Sequence, residues 1–168
     1  VPSRSLTIVG DLDQRSQGAP EGGWRELLGP LASHLTEEVL TISYRTPATV
    51  LDEAEAAMNR RDIKLHHPVN AVREVENSLR TAPLETAIEE ELEFLNSEFG
   101  PGQGLIAVIS NGPPHIDHPQ VHTMTPRESK GLEFDSVIIH GTIEEPGDLY
   151  VAMTRPTQHL ILTPGTEI

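Results

Sequence analysis

The sequence predicts an α/β fold, a mostly parallel sheet covered by helices on both faces. Short apolar runs alternate with helix-like segments from one end of the chain to the other. Those runs are continuously apolar, as strands buried on both sides require. Fourteen prolines and 13 glycines supply the many connections such a fold needs. A chain of 168 residues holds one domain with a true core, or one domain and a short appendage. With aromatic residues at only 4 %, that core must be built from Leu, Ile, Val and Ala.

LTIVGD (6–11) reads as the first buried strand and ends in Gly10-Asp11. A Gly-rich loop leads to GWRELLGPLASHL, where Trp24, Leu27, Leu28 and Leu31 fall at helical spacing. EVLTISY (38–44) reads as the second strand. Thr46 is placed to cap the next helix and Pro47 to open it, where a missing N–H costs nothing. Val50, Leu51, Ala54 and Met58 line one face of that helix. From 59 to 83 the pattern is weak, and AVREVEN with SLRTA suggests an exposed hairpin. LETAIEEELEFLNSEF sets Leu84, Ile88, Leu92, Leu95 and Phe99 on one stripe. Glu89, Glu90, Glu91 and Glu93 then form a solvated acidic face. GLIAVIS, QVHTM and DSVIIHG are three further strands, and a short helix around GDLYVAMT precedes a last strand, HLILT.

The absence of cysteine excludes a disulfide scaffold and thiolate metal sites. HIDHPQVH brings together His115, Asp117, His118 and His122, but in no standard zinc spacing, and it reads as a histidine-containing loop. No apolar run reaches membrane-spanning length and no signal-peptide pattern opens the chain, so a cytoplasmic protein is expected. A net charge of −14 argues against strong DNA binding by these residues alone, since non-specific affinity comes from basic groups neutralising phosphates.

The chemistry is expected at the carboxyl ends of the strands, where parallel sheets bind ligands. Gly10-Asp11 and Gln14 follow the first strand, Tyr44-Arg45 the second, and Ser129-Lys130-Gly131-Leu132-Glu133 the VHTM strand; Thr154-Arg155 end the last helix. Taken singly, each has an ordinary explanation: Arg45 and Arg155 as surface or helix-entry residues, Tyr44 as packing, Asp11 as a turn cap. An arginine just past a buried strand also has a fixed backbone and a free guanidinium, which suits phosphate oxygens.

Taken together, the segments resemble superfamily 1 helicases of the UvrD/Rep type. LTIVGDLDQ is similar to motif III of that family, LTISYRTP to motif IV, TPRESKGLEFDSVII to motif V and LYVAMTRPTQHLIL to motif VI. The resemblance implies a RecA-like fold, with 1–36 as the tail of a first RecA-like domain carrying motif III and 37–168 as the second, carrying motifs IV to VI. It implies that Tyr44 stacks on adenine, Glu133 contacts the ribose, and Gly131 lets the backbone approach the ligand. It further implies that Arg45 and Arg155 reach the γ-phosphate of ATP, that Gln14 senses it, and that Thr125, Arg127 and Trp24 meet nucleic acid.

No Gly-x-x-x-x-Gly-Lys-Ser/Thr loop occurs. An N-terminal RecA-like domain is therefore expected to hold Mg²⁺ and most of the triphosphate, and this fragment alone is expected to hydrolyse no ATP. Arg127 stands where motif V usually has histidine, and Ser43 where motif IV has asparagine. The compact spacing is closest to the HelD/helicase IV-like branch, which makes RNA polymerase an alternative partner to DNA.

Overall fold

The computed structural model describes residues 6–15 and 20–168. Its main sheet has five strands, all parallel, in the order β3-β7-β6-β4-β5, where β3 is Leu79–Thr81, β4 Ile106–Ile109, β5 Val121–Met124, β6 Phe134–Ile139 and β7 Pro156–Leu162. The expected α/β class is the one observed.

Alternation along the strands assigns the two faces. Ile106, Val108, Ile138 and Ile161 pack under helix α3 (Leu84–Phe99), against Ala87 and Leu95. Ala107, Ile109, Val137, Ile139 and Leu160 pack on the other side, beneath α2 (Ala48–Arg60) and α4 (Pro146–Met153). Val50, Leu51, Ala54 and Met58 form the buried stripe of α2 as the periodicity implies, joined by Ala57. The core is mostly aliphatic, with Phe134 and Tyr150 buried on the α2/α4 face.

Several expectations are corrected. The chain over 6–11 forms no strand, and Leu6 and Val9 are exposed. Only Ile42–Ser43 (β1) of the second run is a strand. The Trp24 segment forms a short helix, α1 (Gly23–Leu28), followed by a 3₁₀ helix over Gly29–His34, and Leu27 and Leu31 are exposed. Thr46 does not cap α2. Pro47 takes the N-cap position, and the Thr46 hydroxyl instead donates 3.3 Å to the Thr154 carbonyl. The expected hairpin is absent: β2 (Asn70–Ala71) pairs with β1 in parallel, and β3 pairs with β7, so the two strands belong to different sheets.

Glu91 is the sharpest correction. It is buried, on the α3 face that meets the sheet, while Phe99 at the end of the apolar stripe is exposed. A carboxylate tolerates that position only with partners. Arg80 Nη2 donates 2.8 Å to it, His159 Nδ1 lies 2.9 Å away, and the Ser136 hydroxyl completes the set. The cluster bolts α3 to β3, β6 and β7.

Candidate functional site

Glu133 directly precedes β6 and Arg155 directly precedes β7, and the Phe134 N–H donates 3.1 Å to the Arg155 carbonyl. Both residues therefore stand at the amino ends of the central strands. The carboxyl-end expectation is corrected here. The loop after β5 runs back along the sheet before β6 begins, and α4 does the same before β7, so residues that follow one strand in sequence lie at the start of the next.

Arg45 Nε forms an ion pair with Glu133 Oε2 at 2.7 Å, and both side chains are substantially exposed. Arg155 is the opposite case, only 4 % exposed. Its Nε donates to the Val151 carbonyl (3.0 Å) and its Nη1 to the Leu132 carbonyl (3.2 Å). Its Nη2 donates to Gln14 Oε1 and to the Thr154 hydroxyl, each at 3.2 Å. Burial, followed by the like charge of nearby Arg45, lowers its pKa from the ordinary arginine value.

Gln14 is held at both ends of its amide. Nε2 donates 2.6 Å to Asp11 Oδ2, while Oε1 accepts from Arg155. Asp13, two residues from Asp11, accepts the backbone N–H groups of His66 (2.9 Å) and His67 (3.2 Å), which anchors this turn to the loop after α2. Burial, with Asp11 and Asp13 nearby, pushes the Tyr150 phenol up. Four segments thus converge on one rim: the turn carrying Gln14 and the Asp13 anchor, and the segments carrying Arg45, Glu133 and Arg155.

Tyr44, the neighbour of Arg45, is 73 % exposed, so its ring face is open to a planar partner. Gly131 adopts φ +78°, and a Cβ there would meet nothing within 4 Å. Its visible requirement is conformational, since the left-handed region costs other residues. Gly131→Ala is expected to lower stability by about 1 kcal/mol through that strain alone, read as a shift in thermal midpoint. A much larger loss would mean that space, not conformation, is limiting.

The residues expected to meet nucleic acid lie elsewhere. Thr125 follows the carboxyl end of β5, and its N–H and hydroxyl each donate 2.8 Å to Glu128. Arg127 Nε pairs with Asp148 in the first turn of α4 at 3.3 Å, with an exposed side chain. Trp24 is half-buried and covers Gly10, where a Cβ would meet its ring at 3.0 Å. Thr125 thus lies past the carboxyl end of β5, whereas Glu133 and Arg155 stand at the amino ends of β6 and β7.

Sequence reasoning missed Arg73 and Glu74, which follow β2. Arg73 donates to the Arg45 carbonyl (3.3 Å), the Thr157 carbonyl (2.7 Å) and the Gln158 side chain (3.0 Å). Glu74 accepts from the Thr49 N–H (2.9 Å) and hydroxyl (2.8 Å) at the start of α2. Hydrogen bonds from Val75 and Thr49 outweigh the opposing effect of burial and keep its carboxyl below the usual range. Single polar residues in an irregular loop leave no periodic signal to find.

Among the described residues, no cluster of three or more His, Asp and Glu is gathered to hold a metal ion, and no helix is long and apolar enough to cross a membrane.

No protein-family model and no curated protein sequence matches this chain. Solved structures do. The arterivirus nonstructural protein 10, a helicase solved with DNA, aligns over 92 % of this chain and 32 % of its own, at 23 % identity and a TM-score of 0.50. The C-terminal domain of a possible DNA helicase from Lactobacillus plantarum WCFS1 aligns over 74 % of this chain and 88 % of its own, at 19 % identity and a TM-score of 0.48. The PRRSV helicase aligns over 93 % and 28 %, at 18 % identity and a TM-score of 0.48. The chain spans about a third of the arterivirus helicase, and its parallel sheet has the helicase-like, RecA-like fold.

Proposed function

We propose that this chain is the C-terminal motor domain of an ATP-dependent superfamily 1 helicase or translocase, of the UvrD/Rep type and nearest the HelD/helicase IV-like branch. The observation that carries the reading is the convergence of Gln14, Arg45, Glu133 and Arg155 on one rim; Gln14 and Arg155, 141 positions apart, are in direct hydrogen-bond contact. The similarity in fold to an arterivirus helicase solved with DNA supports DNA as the partner.

The donor set suits ATP. Tyr44 offers an open ring for the base, Glu133 a carboxylate for the ribose hydroxyls, and Arg45 an exposed guanidinium for a phosphate oxygen. Hydrolysis of the terminal phosphoanhydride is what ATP supplies when bound. The contribution of this chain is electrostatic: Arg45 and Arg155 oppose the negative charge that spreads over the transferred phosphoryl group. Arg45 must first exchange Glu133 for that group, which links nucleotide occupancy to release of the ion pair. Gln14, bonded to Arg155, couples the rim to the turn at 11–14. In this reading, Mg²⁺ and the rest of the triphosphate are held mainly by an N-terminal RecA-like domain, and this fragment alone turns over no ATP.

The test is ATP hydrolysis by the full-length protein in the presence of single-stranded DNA. Arg45→Ala is expected to lower kcat about 100-fold while nucleotide affinity changes little. Unchanged turnover in that variant would overturn the reading.

The charge of −14 favours a second reading, an ATPase module acting on RNA polymerase in place of unwinding DNA. Strand displacement by the full-length protein with no polymerase retention supports the first reading; polymerase retention without strand displacement supports the second.

A further inference from the structure

We propose that Arg73 is a positioning residue for Arg45, fixing where the exposed guanidinium stands relative to Arg155; this rests on the nucleotide reading above. Among the described residues, β1, which leads into Arg45, lies outside the main sheet and pairs with β2. Its two-residue ladder cannot by itself hold Arg45 in register with β7.

Arg73 supplies the missing link. It extends from the end of β2 and grips three acceptors: the Arg45 carbonyl on one side, and the Thr157 carbonyl and Gln158 Oε1 on the other. Thr157 and Gln158 are the second and third residues of β7, two and three positions after Arg155. One guanidinium thereby ties the segment bearing the exposed arginine to the segment bearing the buried one. Thr46 repeats the tie from the other direction through its bond to the Thr154 carbonyl. The Arg73 carbonyl also accepts the Ala48 N–H at 3.0 Å, which fixes the turn between Arg45 and α2.

A planar fork is what this geometry needs. A lysine could reach one carbonyl but could not span acceptors on two segments at fixed angles. Arg73 touches no substrate in this scheme. Its effect passes through Arg45, so its loss changes the alignment of Arg45, and Arg73→Lys, which keeps the positive charge, separates alignment from charge.

The experiment is a double-mutant cycle on ATP hydrolysis by the full-length protein with single-stranded DNA. Arg73→Ala is expected to lower kcat 10- to 100-fold, roughly the cost of a 1 Å misplacement, with KM for ATP shifted less than about 3-fold. Arg73→Lys should show most of that loss, and Gln158→Ala, which removes one of the three contacts, about a 3-fold loss. In the Arg45→Ala background, Arg73→Ala should cost nothing further. If Arg45→Ala is slow but Arg73→Ala slows it again by its full wild-type factor, the positioning role is overturned and the nucleotide reading stands. If Arg45→Ala alone turns over normally, both fall. Should Arg73→Ala fail to fold, Arg73→Lys and Gln158→Ala carry the same cycle, with coupling to Arg45 supporting the proposal and additivity overturning it.

Discussion

Arg155→Ala in the full-length protein is expected to reduce ATP turnover about 1,000-fold or more, the size of effect an arginine acting on a transferring phosphoryl group produces. The structure adds a second consequence. Arg155 is buried, and its loss leaves the Leu132 carbonyl and Gln14 Oε1 without that donor, while the Val151 carbonyl keeps its bonds from Thr154. Buried acceptors without partners are costly, so Arg155→Ala is expected to lower thermal stability as well as activity. Arg155→Lys separates the two. Lysine keeps the charge but cannot reproduce a fork that reaches four acceptors at once, so turnover should remain low while part of the stability returns. Arg155→Lys with nearly normal turnover would place the chemistry elsewhere. The comparison should be made below the melting point of each variant.

The second large effect concerns folding. Glu91→Ala removes the carboxylate shared by Arg80, His159 and Ser136, and is expected to cost about 3–5 kcal/mol, the usual result of removing one partner from a buried charged set. Urea denaturation reads it directly. The pH dependence has a defined sign. Burial, the largest influence, pushes the Glu91 carboxyl up, but hydrogen bonds from His159, Ser136 and Arg80 outweigh it and hold it below its ordinary value of 4.5. A carboxyl whose folded-state pKa is depressed contributes stability above its unfolded-state value and loses it as pH falls through the lower one. Stability should therefore decline below about pH 4.5, and Glu91→Gln should flatten that decline. An unchanged acid limb in Glu91→Gln would assign it to other carboxylates.

The legible parts of the fold were those in which one physical demand dominates. The stretches Ile106–Ile109 of β4, 137–139 of β6 and 160–162 of β7 are apolar because helices cover both sides, and α2 shows its stripe because one face meets the sheet. The runs at 6–11 and 38–44 look much the same in sequence, yet Leu6, Val9 and Leu40 are exposed. Apolar character states that a segment can be buried; it does not say by what. Glu91 failed the pattern for the converse reason, because its partners come from three strands, two of them 45 and 68 positions away. At the site, the identities of Arg45, Glu133 and Arg155 were readable because they sit beside distinctive neighbours. Their position at the amino rim was not, because it depends on how two connections fold back over the sheet. Arg73 left no trace in the pattern at all.

The pairing of β1 with β2 outside the main sheet has a dynamic consequence. A ladder of two residues has little cooperativity of its own, and segments with few buried contacts open at free energies well below that of global unfolding. Arg45 is thus carried on a segment whose backbone ladder contributes little, and the side-chain ties from Arg73 and Thr46 supply much of what holds it to the five-stranded sheet.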